Sequence, residues 1–279
     1  MGFTDVMCYL HRRGQAGKRM LSAACGCNIG KKRQNNEDNL YFNGCYLESD
    51  HKGTPDILIR NSRDLKKVMD HGGFFAVFDG MGGAEYGEVA SFTAAEEARL
   101  FFEANEMVDL HDVSLSLQNF CFQANDSVIR EAHKLGTEYM GTTIAGLYFH
   151  DDSVWVCNLG DSRCFLHRNG EIQQISKDHT DEQEMLKAGI RGRKPYLTQY
   201  LGISSEEIQL TPYIRKYAIQ KDDLFLICSD GLTDMLDLEE ITRITHLYKT
   251  EPGETVNQLI RAALDAGGRD NITVIACQF

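Results

Sequence analysis

The sequence predicts an α+β layered fold in which antiparallel β-sheet is covered by helices. Three observations carry that expectation. Short β-type runs are joined by tight turns, helical patterns flank them in pairs, and no Pro/Ser/Gly-rich linker divides the 279 residues.

The β-type runs lie at residues 40–42, 74–78, 142–149, 154–159, 164–167, 171–175, 224–228 and 272–277. Two connections are short: His150-Asp151-Asp152-Ser153, and Arg168-Asn169-Gly170-Glu171, whose Asn-Gly pair suits a type I′ turn. The four runs between Thr142 and Ile175 therefore read as one antiparallel meander, with Trp155 in its core. Ahead of them, 85–104 is rich in alanine and glutamate, and 113–135 repeats Leu, Phe and Val at helical spacing. Behind them, 238–248 and 254–266 form a second helical pair. Residues 48–73 are a polar excursion to which the sequence assigns no function. The body reads as one domain over 21–279. It follows a basic leader over 1–20 that carries Arg12, Arg13, Lys18 and Arg19 against Asp5.

Acids outnumber bases 41 to 29, a formal charge of −12. That argues against a nucleic-acid partner, which needs a basic stripe to replace phosphate counterions, and against an anionic membrane. No run approaches the roughly 18 apolar residues of a membrane span. The basic residues at the start follow the apolar ones, the reverse of a secretory signal. Gly2 invites myristoylation, but Val6 stands where that motif wants Ser or Thr. Nine cysteines, odd in number and mostly inside apolar runs, fit reduced core thiols in a cytoplasmic protein. Cys25-Gly-Cys27 has no second pair at zinc-site spacing.

Function enters with the placement of the carboxylates. Phe-Phe-Ala-Val-Phe-Asp79-Gly80 and Leu-Phe-Leu-Ile-Cys-Ser-Asp230-Gly231 share a grammar of buried-looking strand followed by Asp-Gly. Asp161 also follows a strand, whereas Glu37-Asp38 and Asp270 precede strands. Between antiparallel neighbours, carboxyl ends lie beside amino ends, so all these positions can meet on one sheet edge. Clustered carboxylates repel each other unless cations neutralise them, and all-oxygen donors favour Mg²⁺ or Mn²⁺ over zinc. A glycine after a ligand aspartate lets its backbone approach closely enough for the carbonyl to serve as a ligand.

Six ordered blocks then resemble a known family, the metal-dependent protein phosphatases of type 2C (PPM). They are Arg33-Gln-Asn-Asn-Glu37-Asp38, Val77-Phe-Asp79-Gly80-Met-Gly-Gly, Gly141-Thr142-Thr143, Asn158-Leu-Gly-Asp161-Ser-Arg163, Cys228-Ser-Asp230-Gly-Leu-Thr-Asp234 and Gly268-Arg-Asp270-Asn271. The resemblance covers roughly residues 22–279 and implies a four-layer sandwich, two antiparallel sheets flanked by pairs of helices. It implies a serine/threonine phosphatase using two divalent ions, Mn²⁺ or Mg²⁺, that activate a water for in-line attack. Asp79 would bridge the ions, Gly80 would offer its carbonyl, Asp230 and Asp270 would hold the second ion, and Glu37 and Asp38 would complete the site. Arg33 would clamp the phosphate. Asp161 matches the position of a third, weaker ion in many bacterial members. Substrates would be phosphoserine and phosphothreonine proteins, made by an opposing protein kinase, with the chain acting as a monomer.

One position departs from the family. Many relatives place a general-acid histidine after that Asp-Gly, where this chain has Met81. A segment over 180–200, with Arg191, Arg193 and Lys194, reads either as a flap touching phosphopeptide or as a solvated basic loop. His179 and the His111-Asp112 pair read as structural or surface residues. Two rival readings remain: a cysteine phosphatase using Cys157 and Arg163, and a non-catalytic metal-binding module on the same fold. The first rests on a Cys-x₅-Arg pattern that also occurs at Cys27 and Arg33, so it discriminates little.

Overall fold

A computed structural model describes residues 20–61, 63–65, 68, 71–81, 86–104, 112–137, 139–204 and 208–279. The leader (apart from Met20), His111 and the start of the first expected helix lie outside the described residues.

One six-stranded sheet runs β3(Leu58–Arg60), β1(Ser22–Asn28), β12(Ile272–Gln278), β11(Leu224–Cys228), β8(Arg163–Arg168), β9(Glu171–Gln174). The other runs β10(Tyr213–Ala218), β7(Ser153–Leu159), β6(Ile144–His150), β4(Gly73–Met81), β2(Asp38–Phe42), with β5(Gly141–Thr142) on the end of β4. Every neighbouring pair among these strands is antiparallel.

The continuous apolar runs of the central strands follow from burial on both faces. Along β4, Phe75 and Val77 enter the core between the sheets, while Phe74, Ala76 and Phe78 face outward under α1(Gly87–Ala104) and α2(Val113–Leu135). On β12, Ile275 and Cys277 point into the same middle core, and Ile272, Val274 and Ala276 pack beneath α5(Leu238–Tyr248) and α6(Pro252–Asp265). The result is four layers, helices–sheet–sheet–helices, with the short α3(Glu182–Lys187) between β9 and β10 in the chain. Ala90, Ala94 and Ala98 are fully buried, so α1 sits low on the sheet. Asp112 caps α2 by accepting from Leu115 N at 3.0 Å, and Gly136 ends it with φ 71°. No helix among the described residues is long and apolar enough to cross a membrane.

The expected meander is two hairpins in different sheets. β6–β7 belongs to one sheet and β8–β9 to the other, while β7 takes β10 as its second partner. The chain changes sheet at Gly160, whose φ of 102° permits the sharp exit from β7. The Asn169-Gly170 turn has φ of 54° and 85°, the two positive values of a type I′ turn. Trp155 is only half-buried, on the outer face of β7, with Lys216 Nζ 5.3 Å from its ring centroid. The 48–73 excursion supplies β3 and the brace of His51, whose Nε2 lies 2.8 Å from the Asp38 carbonyl.

Candidate active site

The two strand ends that carry Asp-Gly meet the amino ends of their neighbours. Asp38 on β2 is the register partner of Asp79 on β4, and Cys228 at the end of β11 is opposite Val274 near the start of β12. Asp230 opens the one-turn α4(Asp230–Thr233), and Asp270 lies just before β12. Asp161 sits in the crossover that follows β7. Asp38 and Asp79 thus belong to one sheet, while Asp230 and Asp270 are tied to the other.

A cleft of about 400 Å³ opens at this edge, lined by Arg33, Glu37, Asp79, Gly80, Asp161, Asp230 and Asp270. Met81, Thr143 and residues 194–197 complete the wall. Asp38 lies beneath it, buried, with Oδ2 accepting from Ser229 Oγ at 2.8 Å and Thr273 Oγ1 at 2.7 Å. Close backbone packing sets the shape. Gly80 N donates to the Glu37 carbonyl at 3.0 Å, and a Cβ on Gly80 would run into the carbonyl oxygens of Gly87 and Glu37. Gly231 is equally confined by the Asn271 carbonyl.

Three residues without an assigned role in the sequence hold this wall together. Asn271 Oδ1 accepts from Glu37 N at 2.8 Å, and its Nδ2 donates to the carbonyls of Ile29 (2.9 Å) and Asn35 (3.0 Å). Thr143 Oγ1 accepts from Asp79 N at 3.1 Å and bonds Ser162 Oγ at 2.7 Å. All three were visible only as members of motif blocks.

The acids strain against one another. Burial raises the Asp79 carboxyl well above its usual range, and Asp230, Asp38, Asp161 and Asp270 raise it further. Burial also lifts Asp161 and Asp38 to about 7 each, with Asp230 adding to both. Burial raises Glu37 against the opposing pull of Arg33. Two basic side chains answer this field. Arg33 Nη2 donates to Asp270 Oδ2 at 2.7 Å, with Nη1 3.5 Å from Glu37 Oε2. Lys194 Nζ donates to Asp230 Oδ2 and, at 3.0 Å, to Asp234 Oδ2. Among the described residues, no three His, Cys, Asp or Glu side chains stand gathered as a ready ion cage. The donor chemistry nevertheless fits hard divalent cations: the acidic side chains offer only oxygen donors, and a cation would relieve the burial and mutual repulsion that raise Asp79, Asp38 and Asp161.

The thiol reading fails on position. Cys157 is fully buried within β7, its Sγ 3.2 Å from that of Cys121, and Arg163 is spent on Asp178 at 2.6 Å. Cys25 and Cys27 are buried in the middle core, where burial raises both thiols, and Cys27 accepts from Asn36 and Thr273. His179 is structural: its Nδ1 accepts from Gly160 N at 3.3 Å.

Comparison with known proteins agrees with this geometry. The sequence profile described as Protein phosphatase 2C matches residues 63–265. Protein phosphatase PhpP of Streptococcus pneumoniae is 30% identical over 263 residues, covering 88% of this chain and 93% of its own length. Among solved structures, serine/threonine phosphatase Stp1 from Staphylococcus aureus superposes with a TM-score of 0.74 at 26% identity, covering 94% of this chain and 96% of that one. The catalytic domain of serine threonine protein phosphatase PstP, in complex with 2 manganese ions, gives 0.72 at 26% identity, covering 93% and 98%. The chain belongs to the protein phosphatase 2C family.

Proposed function

We propose that the cleft removes phosphate from phosphoserine and phosphothreonine in proteins with two divalent ions, Mn²⁺ or Mg²⁺. The observation that carries this reading is the convergence of acids from both sheets on one cleft with a guanidinium at its mouth. Asp79 and the Gly80 carbonyl would hold one ion, and Asp79 with Asp230 and Asp270 the other. Glu37 would complete the site from the wall and Asp38 from beneath. When bound, the ions neutralise the acids and lower the pKa of attacking water from 15.7 towards roughly 7–9.

The chain's own groups do the positioning. Arg33, with 46% of its side chain exposed, exchanges its bonds to Asp270 and Glu37 for two phosphate oxygens, a match to its planar fork. Thr143 fixes the Asp79 backbone, and Asn271 fixes the loop that presents Glu37 and Arg33. Met81 gives the wall an apolar patch and transfers no proton. Tyr196, exposed beside the cleft, offers a surface for substrate peptide. The reading implies an opposing protein kinase. It also places the chain in the reducing cytoplasm, consistent with the free thiols of the described cysteines.

The test is hydrolysis of phosphoserine, phosphothreonine and phosphotyrosine peptides by purified protein, with and without Mn²⁺. Turnover of the first two should require Mn²⁺, stop with chelator, survive Cys157→Ser, and vanish in Asp79→Ala, Asp230→Ala and Asp270→Ala. Chelator-resistant turnover would defeat the reading.

A further inference from the structure

The flap over residues 178–203 is built to hold one lysine in the cleft. Its two limbs are tied by Asp181 N to the Tyr196 carbonyl (3.0 Å) and Thr198 N to the His179 carbonyl (2.8 Å). At the turn, the Asp181 carboxylate takes Arg193 Nη2 at 2.6 Å and Tyr196 N at 2.7 Å. The Arg193 guanidinium in turn lies 3.9 Å from the Tyr196 ring centroid. Lys194 and Pro195 are bracketed between these anchors, and the following proline restricts Lys194 to extended backbone. From there Lys194 Nζ reaches Asp230 and Asp234, and its charge also acts on Asp161.

We propose that the Lys194 ammonium is a resident cation at the Asp161–Asp230 edge of the cleft, standing where a third divalent ion would otherwise bind. The chain then takes two ions and not three. The assignment rests on the two-ion reading above. A lysine ammonium is a compact point charge with three donors, and Lys194 spends two of them on the carboxylates of Asp230 and Asp234. A divalent ion seated at that edge would have to displace the lysine from Asp230 and lie against a positive charge still held by Asp234. It would also lose Asp234, which balances the lysine instead. The other Asp230 oxygen would remain for the ion pair.

The experiment is Mn²⁺ titration of the full chain, with free Mn²⁺ followed by electron paramagnetic resonance, for wild type, Lys194→Gln and Lys194→Arg. Lys194 is 54% exposed, and thermal melts confirm that each variant is folded. Wild type and Lys194→Arg should bind two equivalents. Lys194→Gln should gain a third, weaker one that is lost again on adding Asp161→Asn. Three equivalents in wild type, or two in Lys194→Gln, overturn the assignment. So does tighter binding of the first two in Lys194→Gln without a third, because the lysine would then be guarding the ion pair itself. Fewer than two equivalents in wild type defeats the two-ion reading, and the assignment with it.

Discussion

Asp38 and Asp79 are directly opposed across the β2–β4 ladder, two acids in register at the floor of the cleft. Like charges so placed oppose folding, and burial compounds the cost. Relieving one of them should therefore stabilise the ion-free protein. Asp79→Asn is expected to raise its melting temperature by about 2–4 °C, corresponding to roughly 1 kcal/mol. Activity should disappear in the same variant. Mn²⁺ at about 100 times its dissociation constant should stabilise wild type by roughly 2.7 kcal/mol, and Asp79→Asn far less. Differential scanning calorimetry with and without Mn²⁺ reads both effects.

Arg33 faces solvent on one side and Asp270 on the other, so its removal should spare the fold and weaken phosphate capture. For Arg33→Ala, kcat/KM on a phosphothreonine peptide should fall about 10–100-fold, the range of a charge-assisted bidentate contact. The fall should appear mostly as a rise in KM. Arg33→Lys should recover only part of it, because an ammonium cannot reproduce the fork. An unchanged KM in Arg33→Ala would remove the residue from the substrate.

Asn271 does not line the cleft yet ties three backbone positions, Ile29, Asn35 and Glu37, to the start of β12. Asn271→Ala should cost roughly 2–3 kcal/mol in urea unfolding, the sum expected for several lost buried bonds. Mn²⁺ affinity should fall as well, since Glu37 loses its anchor. A destabilised variant with intact Mn²⁺ affinity would confine Asn271 to holding the loop.

His167 supplies a pH test away from the cleft. It is 2% exposed, neither ring nitrogen finds a well-placed hydrogen-bond partner, and the His246 ring lies 5.8 Å away. Burial lowers its pKa below the ordinary value, with His246 and Lys249 lowering it further. Between that lowered value and about 6.5, the unfolded chain binds the proton and the folded one does not. The His167 contribution to stability is thus full above pH 6.5 and shrinks as pH falls through this window. Melts from pH 7.5 to 5.5 should show a flatter pH slope in His167→Leu than in wild type. Equal slopes would remove His167 from the acid response.

Much of the site was legible because it is written in short-range terms. A buried strand followed by Asp-Gly, or an acid just before a strand, marks a strand end, and antiparallel neighbours bring such ends together. What escaped the sequence depends on distant partners. The jump of β7 and β8 into different sheets turns on pairings with β10 and β11, which no local pattern encodes. β1 was missed because Ser-Ala-Ala-Cys-Gly-Cys-Asn lacks the branched and aromatic residues that mark strands. Lys194 was visible only as one base in a basic loop, since its partners Asp230 and Asp234 lie 36 and 40 residues away. Asp38 and Glu37 read as equivalent neighbours, but only Glu37 lines the cleft while Asp38 is drawn under Ser229 and Thr273.

The division of acids between the sheets makes the cleft a seam. One layer brings Asp38 and Asp79, the other Asp230 and Asp270, and Asp161 rides on the β7–β8 connection, one of several that cross between them. Ions held across this line would pin the two layers to each other. Shear of one layer against the other changes the span between the two acid pairs. Catalytic readiness is therefore also a measure of mechanical alignment in the sandwich, and a load that slips the layers would act on the chemistry without touching the cleft.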